Sequence, residues 1–177
     1  MDCNPELIDA AQNNTAKLGF SDRFVLHTGE LADTRFLENL RMEASPVQLV
    51  MANPPWRLVG SGRLPTTEAR RKALFGDKGT FPLFASAASS LLEEDGRFAC
   101  IISPDRLQDM LAALDGAGLT PYLLQYIHKQ KTSPATFVLI EARKGAHAKP
   151  SVAEPIALYG PERFFTLESL AFCPFLR

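Results

Sequence analysis

The sequence predicts one α/β domain of three layers, in which helices cover both faces of a central β-sheet. Two apolar runs, at 47–52 and 97–103, are typical of strands buried within such a sheet, and helical patterns precede and follow them. Two β-rich runs near residue 130 are separated by a short Lys/Ser/Pro link, which is typical of an antiparallel hairpin. The 177 residues, 46% of them hydrophobic, are enough to bury a core.

Composition narrows the class of protein further. A net charge of −1 excludes a protein that coats nucleic acid through bulk charge, so a polyanion must be met by a local basic patch. The three cysteines, Cys3, Cys100 and Cys173, form no CxxC motif, and they predict neither a disulfide framework nor a metal site. Because no apolar run approaches the roughly 18 residues of a membrane span, we predict a cytoplasmic protein without a membrane partner.

The amino-terminal elements follow from local signals. Asn4 is suited to cap a helix, Pro5 to its first position and Gly19 to its end, with Leu7 and Leu18 among the residues on one apolar face. The run at 24–27 is short and β-rich, and the run at 47–52 is almost entirely apolar. Both are predicted to be strands of a covered sheet.

The remaining elements alternate in the same way. Residues 57–80 hold several glycines and basic residues and are predicted to form a mobile basic loop with one helical turn at most. After it we expect a helix at 81–92, a buried strand at 97–103, a helix at 105–114, hairpin strands at 122–128 and 136–142, a strand at 156–159 and a short helix at 167–172.

The motif that carries chemistry is Asn53-Pro54-Pro55-Trp56, directly after the first long apolar run. In open α/β sheets, ligands bind beyond the carboxyl ends of strands. The two prolines stiffen the turn and remove two backbone donors, which leaves the Asn53 amide oxygen and the Pro54 carbonyl as acceptors for one amino group. With Trp56 as a flat platform, the motif suits a planar base that bears an exocyclic amine. A rigid turn without chemistry is the alternative.

This motif resembles that of the S-adenosylmethionine-dependent N6-adenine and amino-group methyltransferases, which have Asp/Asn-Pro-Pro-aromatic after the fourth strand of a Rossmann-like, class I fold. The segments MDCNPELIDAAQNNTAKLGF, HTGEL, TTEARRKALFG, HKQKTSPATFVLIEARKG and FFTLESL are similar to the bacterial tRNA adenine-N6-methyltransferases that modify a valine tRNA beside the anticodon. The resemblance covers nearly the whole chain.

The resemblance implies roles for particular residues. Asp2 stands where a carboxylate binds the cofactor ribose, Glu30 where an acidic residue meets the cofactor adenine, and Leu31 beside it. Asn53 would touch both the substrate amine and the cofactor, Pro54 and Pro55 would shape the turn, and Trp56 would stack on the flipped base. The cofactor so implied is S-adenosyl-L-methionine.

One departure from the family is large. The family's first strand and its glycine-rich loop would precede Asp2, so we expect residues 1–177 to form a single, N-terminally truncated domain that lacks both. In the family's strand order, 3-2-1-4-5-7-6, this loss separates the strand at 24–27 from the strand at 47–52 and leaves an open edge. We therefore expect a second chain or self-association to complete the sheet.

Basic residues beside the motif are candidates for contact with RNA phosphates, and tRNA is the expected partner. The candidates are Arg57, Arg63, Arg70, Arg71, Lys72, Lys129 and Lys131. The last two form one cluster with other basic residues of the hairpin, Arg143 and Lys144 among them. A solvated, solubilising surface is the alternative for either group.

Two other functions stay open at this point. The same motif serves adenine in DNA and glutamine in protein chains, so the class of substrate is less determined than the reaction. A non-catalytic fragment or subunit could also retain the base pocket and an RNA-binding surface without transferring a methyl group.

Overall fold

A computed structural model describes residues 1–44, 46–58, 67, 71, 73–145, 149–162 and 164–173. The chain divides into two compact units, Met1–Ala44 and Ser45–Arg177. The organisation as a single domain stays a prediction. Within the described residues, no helix has both the length and the apolar character that crossing a membrane requires.

The first unit contains two helices. Helix α1 (Pro5–Lys17) begins as predicted, because the Asn4 side chain accepts a hydrogen bond from the Glu6 amide at 2.9 Å, and Gly19 follows its end with φ 71°. The expected apolar face is not buried: Leu7 is 53% and Leu18 67% accessible, while Ile8, Ala11 and Thr15 are half-buried. The cap signals therefore predicted the helix, whereas the apolar spacing did not predict burial.

One expectation for this unit was wrong, and one helix was missed. The run at 24–27 forms no strand, and the only pairing there is a parallel bridge between Asp2 and Thr28. Helix α2 (Thr34–Ala44) was not predicted, although Asp33 caps it through the Arg35 amide at 3.0 Å. A β-rich run becomes a strand only if a neighbouring strand pairs with it, and none of the described residues supplies one.

The second unit is built on a mixed sheet. Its elements are β1 (Val47–Ala52), β2 (Arg57–Leu58), β3 (Phe75–Gly76), α3 (Thr80–Leu91), β4 (Leu92–Ile102), α4 (Leu107–Gly116), β5 (Leu119–His128), β6 (Ala135–Lys144), β7 (Ser151–Val152), β8 (Ile156–Ala157) and α5 (Leu167–Phe172). The sheet order is β1-β4-β6-β5-β7, with β8 also paired to β5, and β2 pairs with β3 in a separate small sheet. The predicted α/β class and its carboxy-terminal hairpin are confirmed.

The core lies between one face of this sheet and helices α3 and α4. Phe98 and Ile102 of β4 are fully buried, as is Val138 of β6, which pairs with Ile102. Phe81 and Met110 contribute to the same cluster from the two helices. The rigid packing of this core positions the loops that follow the strands.

Strand β1 corrects one expectation. The apolar run predicts a strand covered on both faces, and the structure covers only one, with Met51 75% and Leu49 42% exposed. In the part of the chain that the structure describes, β1 pairs in parallel with β4 alone and so ends the sheet. An apolar run indicates a strand, but it does not show which helices or strands of the protein will bury the two faces of that strand.

Candidate active site

The Asn53-Pro54-Pro55-Trp56 motif forms an irregular turn at the carboxyl end of β1. Pro54 is fully buried, Pro55 and Trp56 are half-buried, and Asn53 is exposed. Because β1 and β4 run in parallel, the loop that follows β4 lies at the same edge of the sheet. The motif therefore occupies the position at which ligands bind in open α/β sheets.

Trp56 is braced from two sides. Its ring meets that of Phe137 on β6 edge-on, with the centroids 6.2 Å apart and an interplanar angle of 75°. The Arg57 guanidinium lies over the Trp56 ring, 5.3 Å from the centroid. The T-shaped contact with Phe137 fixes the indole in place, and the guanidinium over it shows that the ring accepts a flat, positively charged group on one face.

A buried arginine holds the end of the turn. Arg106, 4% exposed, donates from Nη1 to the Trp56 carbonyl oxygen at 2.9 Å and from Nε to the Asp109 carboxylate at 2.7 Å. Its guanidinium also lies 4.5 Å from the centroid of the Phe81 ring. One planar, always charged group thus joins the motif to the loop after β4 and to α3.

A glycine holds the middle of the turn. A Cβ atom on Gly76 of β3 would lie 2.5 Å from the Pro55 carbonyl oxygen, so the close approach of these backbones requires glycine. The parallel pairing of Arg57 with Phe75 keeps β2 and β3 together beside the turn. The backbone of the motif is therefore restrained at Pro55 by Gly76 and at Trp56 by Arg106.

These restraints leave the start of the turn to interact with a ligand. No described residue forms a hydrogen bond with the exposed Asn53 side chain. The amide oxygen of Asn53 is an acceptor, and two successive prolines contribute carbonyl oxygens without N–H groups. A planar amine can be oriented by such acceptors while its ring stacks on Trp56.

Strand β4 carries a titratable group next to the motif. Cys100 pairs in register with Ala52, the residue before Asn53, and its side chain is buried. Burial raises the pKa of the Cys100 thiol from 9.0 to about 12, because the thiolate would be separated from water. Cys100 is thus a neutral packing residue beneath the turn and not a nucleophile.

The first unit brings the predicted cofactor residues onto neighbouring segments. The Asp2 amide donates to the His27 carbonyl at 3.2 Å and the Gly29 amide donates to the Asp2 carbonyl at 3.1 Å, which places Asp2 beside the segment that continues into Glu30 and Leu31. One oxygen of the half-buried Asp2 carboxylate accepts from the Asn4 amide at 2.8 Å. Glu30 is exposed and Leu31 half-buried.

The predicted RNA-contacting residues fall into three groups. Arg57 and Arg71 are exposed near the turn in sequence, and Lys129 and Lys131 are exposed on the turn between β5 and β6. Arg63, Arg70 and Lys72 lie outside the described residues.

The single hairpin cluster expected from the sequence was wrong. Lys129 and Lys131 lie in the turn, whereas Arg143 and Lys144 lie at the far end of β6, about 30 Å of extended strand away. The Lys144 ammonium donates to the carbonyls of Ser89 and Leu92 at 2.9 and 2.8 Å, which is a structural role.

Sequence reasoning missed the two residues that restrain the motif. Gly76 belongs to the run of glycines at 57–80, which predicts a loop but does not distinguish a glycine that a close approach requires. Arg106 lies just after the apolar run at 97–103, and Asn53 lies just after the run at 47–52. Because the carboxyl ends of parallel strands lie on the same side of a sheet, residues that follow the two runs are expected to be neighbours. This position in the sequence is the one signal that points to Arg106.

Known proteins resemble this chain in sequence and in fold. No family model matches the chain. Proteins named tRNA1(Val) (adenine(37)-N6)-methyltransferase from two strains of Porphyromonas gingivalis are 32% identical to it over 112 residues. That match takes in 62% of this chain and 42% of each relative, so the chain spans less than half of the length of the curated relatives that it matches.

Solved structures show the fold. A predicted O-methyltransferase of Agrobacterium tumefaciens superimposes with a TM-score of 0.72 at 18% identity, over 98% of this chain and 73% of that one. The chain has the Rossmann-like methyltransferase fold. An O-methyltransferase family 2 protein of Planctomyces limnophilus gives a TM-score of 0.51 at 17% identity, over 81% of this chain and 41% of its own. The similarity to bacterial tRNA adenine-N6-methyltransferases that the sequence predicts is found over 112 residues, and the resemblance of the Asn53-Pro54-Pro55-Trp56 motif and the roles of its residues stay predictions.

Proposed function

We propose that this chain transfers a methyl group from S-adenosyl-L-methionine to the N6 amine of an adenine in tRNA. The observation that carries the proposal is the restrained turn, in which Arg106 and Gly76 hold the backbone of Trp56 and Pro55 while Asn53 stays exposed. The names of the two Porphyromonas gingivalis relatives supply the specific substrate.

Asn53 and Pro54 orient the substrate amine. The Asn53 amide oxygen and the Pro54 carbonyl accept its two N–H groups, which draws the nitrogen lone pair out of conjugation with the ring and towards the incoming carbon. Trp56 stacks on the adenine. To reach the turn, the adenine has to be flipped out of its stack with the neighbouring bases of the RNA. The nitrogen would bond to the methyl carbon as the bond from that carbon to the cofactor sulfur breaks, with the electron pair passing to sulfur. The nitrogen becomes cationic and then loses its proton to water, so no strong general base is needed.

The cofactor site is assigned to Asp2, Glu30 and Leu31, with Asn53 on the substrate side. Bound S-adenosyl-L-methionine supplies an electrophilic methyl group on a positively charged sulfur. The donor set suits it: one Asp2 oxygen serves the Asn4 amide, which leaves the other for a ribose hydroxyl. The exposed Glu30 carboxylate is an acceptor for an adenine amine, and Leu31 offers apolar contact.

The proposal is tested with the whole chain, S-adenosyl-L-methionine labelled in its methyl group, and three substrates: tRNA, adenine-containing DNA and a glutamine-containing peptide. Label transferred to tRNA at a rate well above the other two supports the proposal. Preferential labelling of DNA or peptide contradicts the assigned substrate. Binding of tRNA with no transfer to any substrate contradicts the assigned reaction and favours a non-catalytic subunit.

A further inference from the structure

A cleft of about 640 Å³ opens between the β5–β6 turn and the carboxy-terminal segment. One wall is formed by Gln130, Lys131 and Thr132, and the other includes Tyr159, Leu167 and Glu168. Its volume lies in the range of sites that hold a small molecule or one nucleotide. None of these residues contributes to the turn at Asn53–Trp56.

The walls of the cleft are tied together by backbone hydrogen bonds. The Leu158 and Tyr159 amides each donate at 2.8 Å, to the His128 and Lys129 carbonyls respectively. The Gln130 side chain donates to the Gly160 carbonyl at 3.3 Å. A hydrogen bond of 2.8 Å from the Ser133 hydroxyl to the Gln130 carbonyl closes the turn itself. The cleft is therefore preorganised, which lowers the entropic cost of binding.

The cleft and the proposed active site lie beyond the same ends of the strands, the carboxyl ends of β1, β4 and β5. Phe137, the ring that braces Trp56, pairs with Ile127 of β5, and Ile127 pairs with Ile156 of β8. Ala157, the next residue of β8, lines the cleft. Two strand spacings, about 10 Å, therefore separate the brace of Trp56 from the cleft.

The chemistry of the cleft suits a nucleotide. The Tyr159 ring, stacked on Phe165 with centroids 5.0 Å apart, is a rigid aromatic platform. The exposed Lys131 on the opposite wall is suited to a phosphate, and Lys129 adds a second cation to the same turn. Glu168 would repel a phosphate but accepts a hydrogen bond from an exocyclic amine, so the base faces Glu168 and the phosphate faces Lys131.

Three aromatic residues close to the cleft in the sequence, Phe164, Phe165 and Phe172, have exposed side chains. Phe164 is 73% and Phe172 58% exposed, and Phe165 stacks on Tyr159. Exposed aromatic rings next to lysines are characteristic of surfaces that bind single-stranded nucleic acid.

We propose that the cleft between Lys131 and Tyr159 binds a nucleotide that flanks the target adenine in the same RNA strand. The base stacks against Tyr159 and the phosphate contacts Lys131. This inference rests on the proposed function, because it takes the strand to be the one whose adenine enters the Asn53–Trp56 turn. The inference goes beyond the proposed function because it assigns a second subsite, at which the chain recognises a nucleotide next to the methylated base.

The test measures binding and does not require methyl transfer. A fluorescently labelled single-stranded RNA of about nine nucleotides with a central adenine is titrated with the whole chain and with Tyr159→Leu and Lys131→Ala. Loss of a stacking platform or a phosphate contact is expected to weaken binding about tenfold in each variant. Tyr122→Leu and Lys149→Ala, exposed residues outside the cleft, are the matched controls and should bind as the unmodified chain does.

The dependence on salt separates the two contacts. Lys131→Ala should reduce the slope of log affinity against log salt by about one, whereas Tyr159→Leu should leave that slope unchanged. Lys131→Ala changes only an exposed turn residue, so it tests the proposal even if Tyr159→Leu fails to fold.

Three outcomes would overturn the inference: binding by both cleft variants that equals that of the controls, equal weakening in all four variants, or no binding of RNA by the unmodified chain. The proposed function fails separately. If label transfer to tRNA is absent while the cleft variants still weaken RNA binding, the reaction is wrong and the subsite stands.

Discussion

Asn53 is the residue that the proposed reaction depends on most directly, because its exposed amide oxygen is an acceptor for the substrate amine. Asn53→Ala removes that acceptor without disturbing a buried contact, and we expect kcat for methyl transfer to fall at least about a hundredfold. Asn53→Asp retains an acceptor oxygen and should recover part of the rate. Steady-state kinetics with labelled methyl donor give the comparison.

The control for this prediction is Asn13→Ala, which changes an exposed asparagine on α1. Affinity for S-adenosyl-L-methionine, measured by calorimetry, should fall far less than kcat in Asn53→Ala, because Asp2, Glu30 and Leu31 would keep the other cofactor contacts. An Asn53→Ala chain that retains full activity would show that the amide has no part in orienting the substrate.

Arg106 is a positioning residue, since it acts on the turn through the Trp56 carbonyl. Arg106→Lys keeps the charge but cannot place two donors and a planar face at once, so we expect it to destabilise the chain by about 1–3 kcal/mol. Urea unfolding measures this loss. In methyl-transfer assays of Arg106→Lys, KM for the RNA should rise by a larger factor than kcat falls. The reason is that the Trp56 ring, on which the base stacks, is displaced.

Asp109→Asn is the matched variant on the other side of this ion pair. Because the Asp109 side chain is 60% exposed, its loss should cost less than about 1 kcal/mol. Equal losses for Arg106→Lys and Asp109→Asn would indicate that the ion pair matters and that the bond to Trp56 does not.

Cys100 gives a pH dependence whose sign follows from burial. The thiol has a pKa of about 12 in the folded chain and 9.0 as its ordinary value, so the folded state binds more protons between these values. The corresponding stability is fully present below pH 9 and is lost as the pH rises towards 12, with a slope of at most about 1.4 kcal/mol per pH unit.

The measurement compares urea unfolding at pH 8 and pH 10.5 in the unmodified chain, in Cys100→Ala and in Cys3→Ala, where the replaced thiol is exposed. The unmodified chain and Cys3→Ala should lose more stability over this range than Cys100→Ala does. Parallel losses in all three chains contradict a buried, protonated Cys100.

At the scale of elements, the short β2–β3 pair matters because it places Gly76 against Pro55. Gly76→Ala would put a methyl group 2.5 Å from the Pro55 carbonyl oxygen and force the turn to move. We expect it to lower kcat/KM at least tenfold and to destabilise the chain by about 1–3 kcal/mol. Activity and thermal melting are measured together.

Gly116→Ala, at the end of α4, is the control, because an added methyl group there meets no atom within 4 Å. It should melt at or slightly above the temperature of the unmodified chain. If Gly76→Ala behaves in the same way, the close approach of β3 to the turn does not restrain the motif.

Elements with local signals could be predicted from the sequence. The cap at Asn4 predicted where α1 begins, and the alternating runs joined by a Lys/Ser/Pro link predicted the β5–β6 hairpin. Caps and turns depend on hydrogen bonds within a few residues, so a single sequence contains the information.

Elements that depend on distant partners could not be predicted. The run at 24–27 has strand-forming residues but no ladder among the described residues, and β1 has an apolar run but only one covered face. The same limit applies to the site. The motif at Asn53 could be found in the sequence, whereas its restraint by Arg106 depends on a contact between residues 50 positions apart.

At the scale of the whole molecule, the acidic and basic side chains nearly balance, 20 against 19. A net charge of −1 leaves the exposed cations, such as Arg57 and Lys131, to provide local attraction for a polyanion. Association with tRNA should therefore involve few phosphates and depend only modestly on salt compared with a strongly basic protein.

The division into two units places the predicted groups in separate parts of the chain. Asp2 and Glu30 belong to Met1–Ala44, and Asn53 and Trp56 belong to Ser45–Arg177. The proposed cofactor residues Asp2 and Glu30 therefore belong to the first unit, and the proposed substrate residues belong to the second.

The measurement that tests the central claim most directly is nucleoside analysis of tRNA after incubation with the whole chain and S-adenosyl-L-methionine. Complete digestion followed by mass spectrometry identifies which atom of which base carries the new methyl group. The account predicts N6-methyladenosine as the product, and its absence with Asn53→Ala. A methyl group on another base or on another adenine position, or no methylated nucleoside from a chain that binds both tRNA and cofactor, would contradict it.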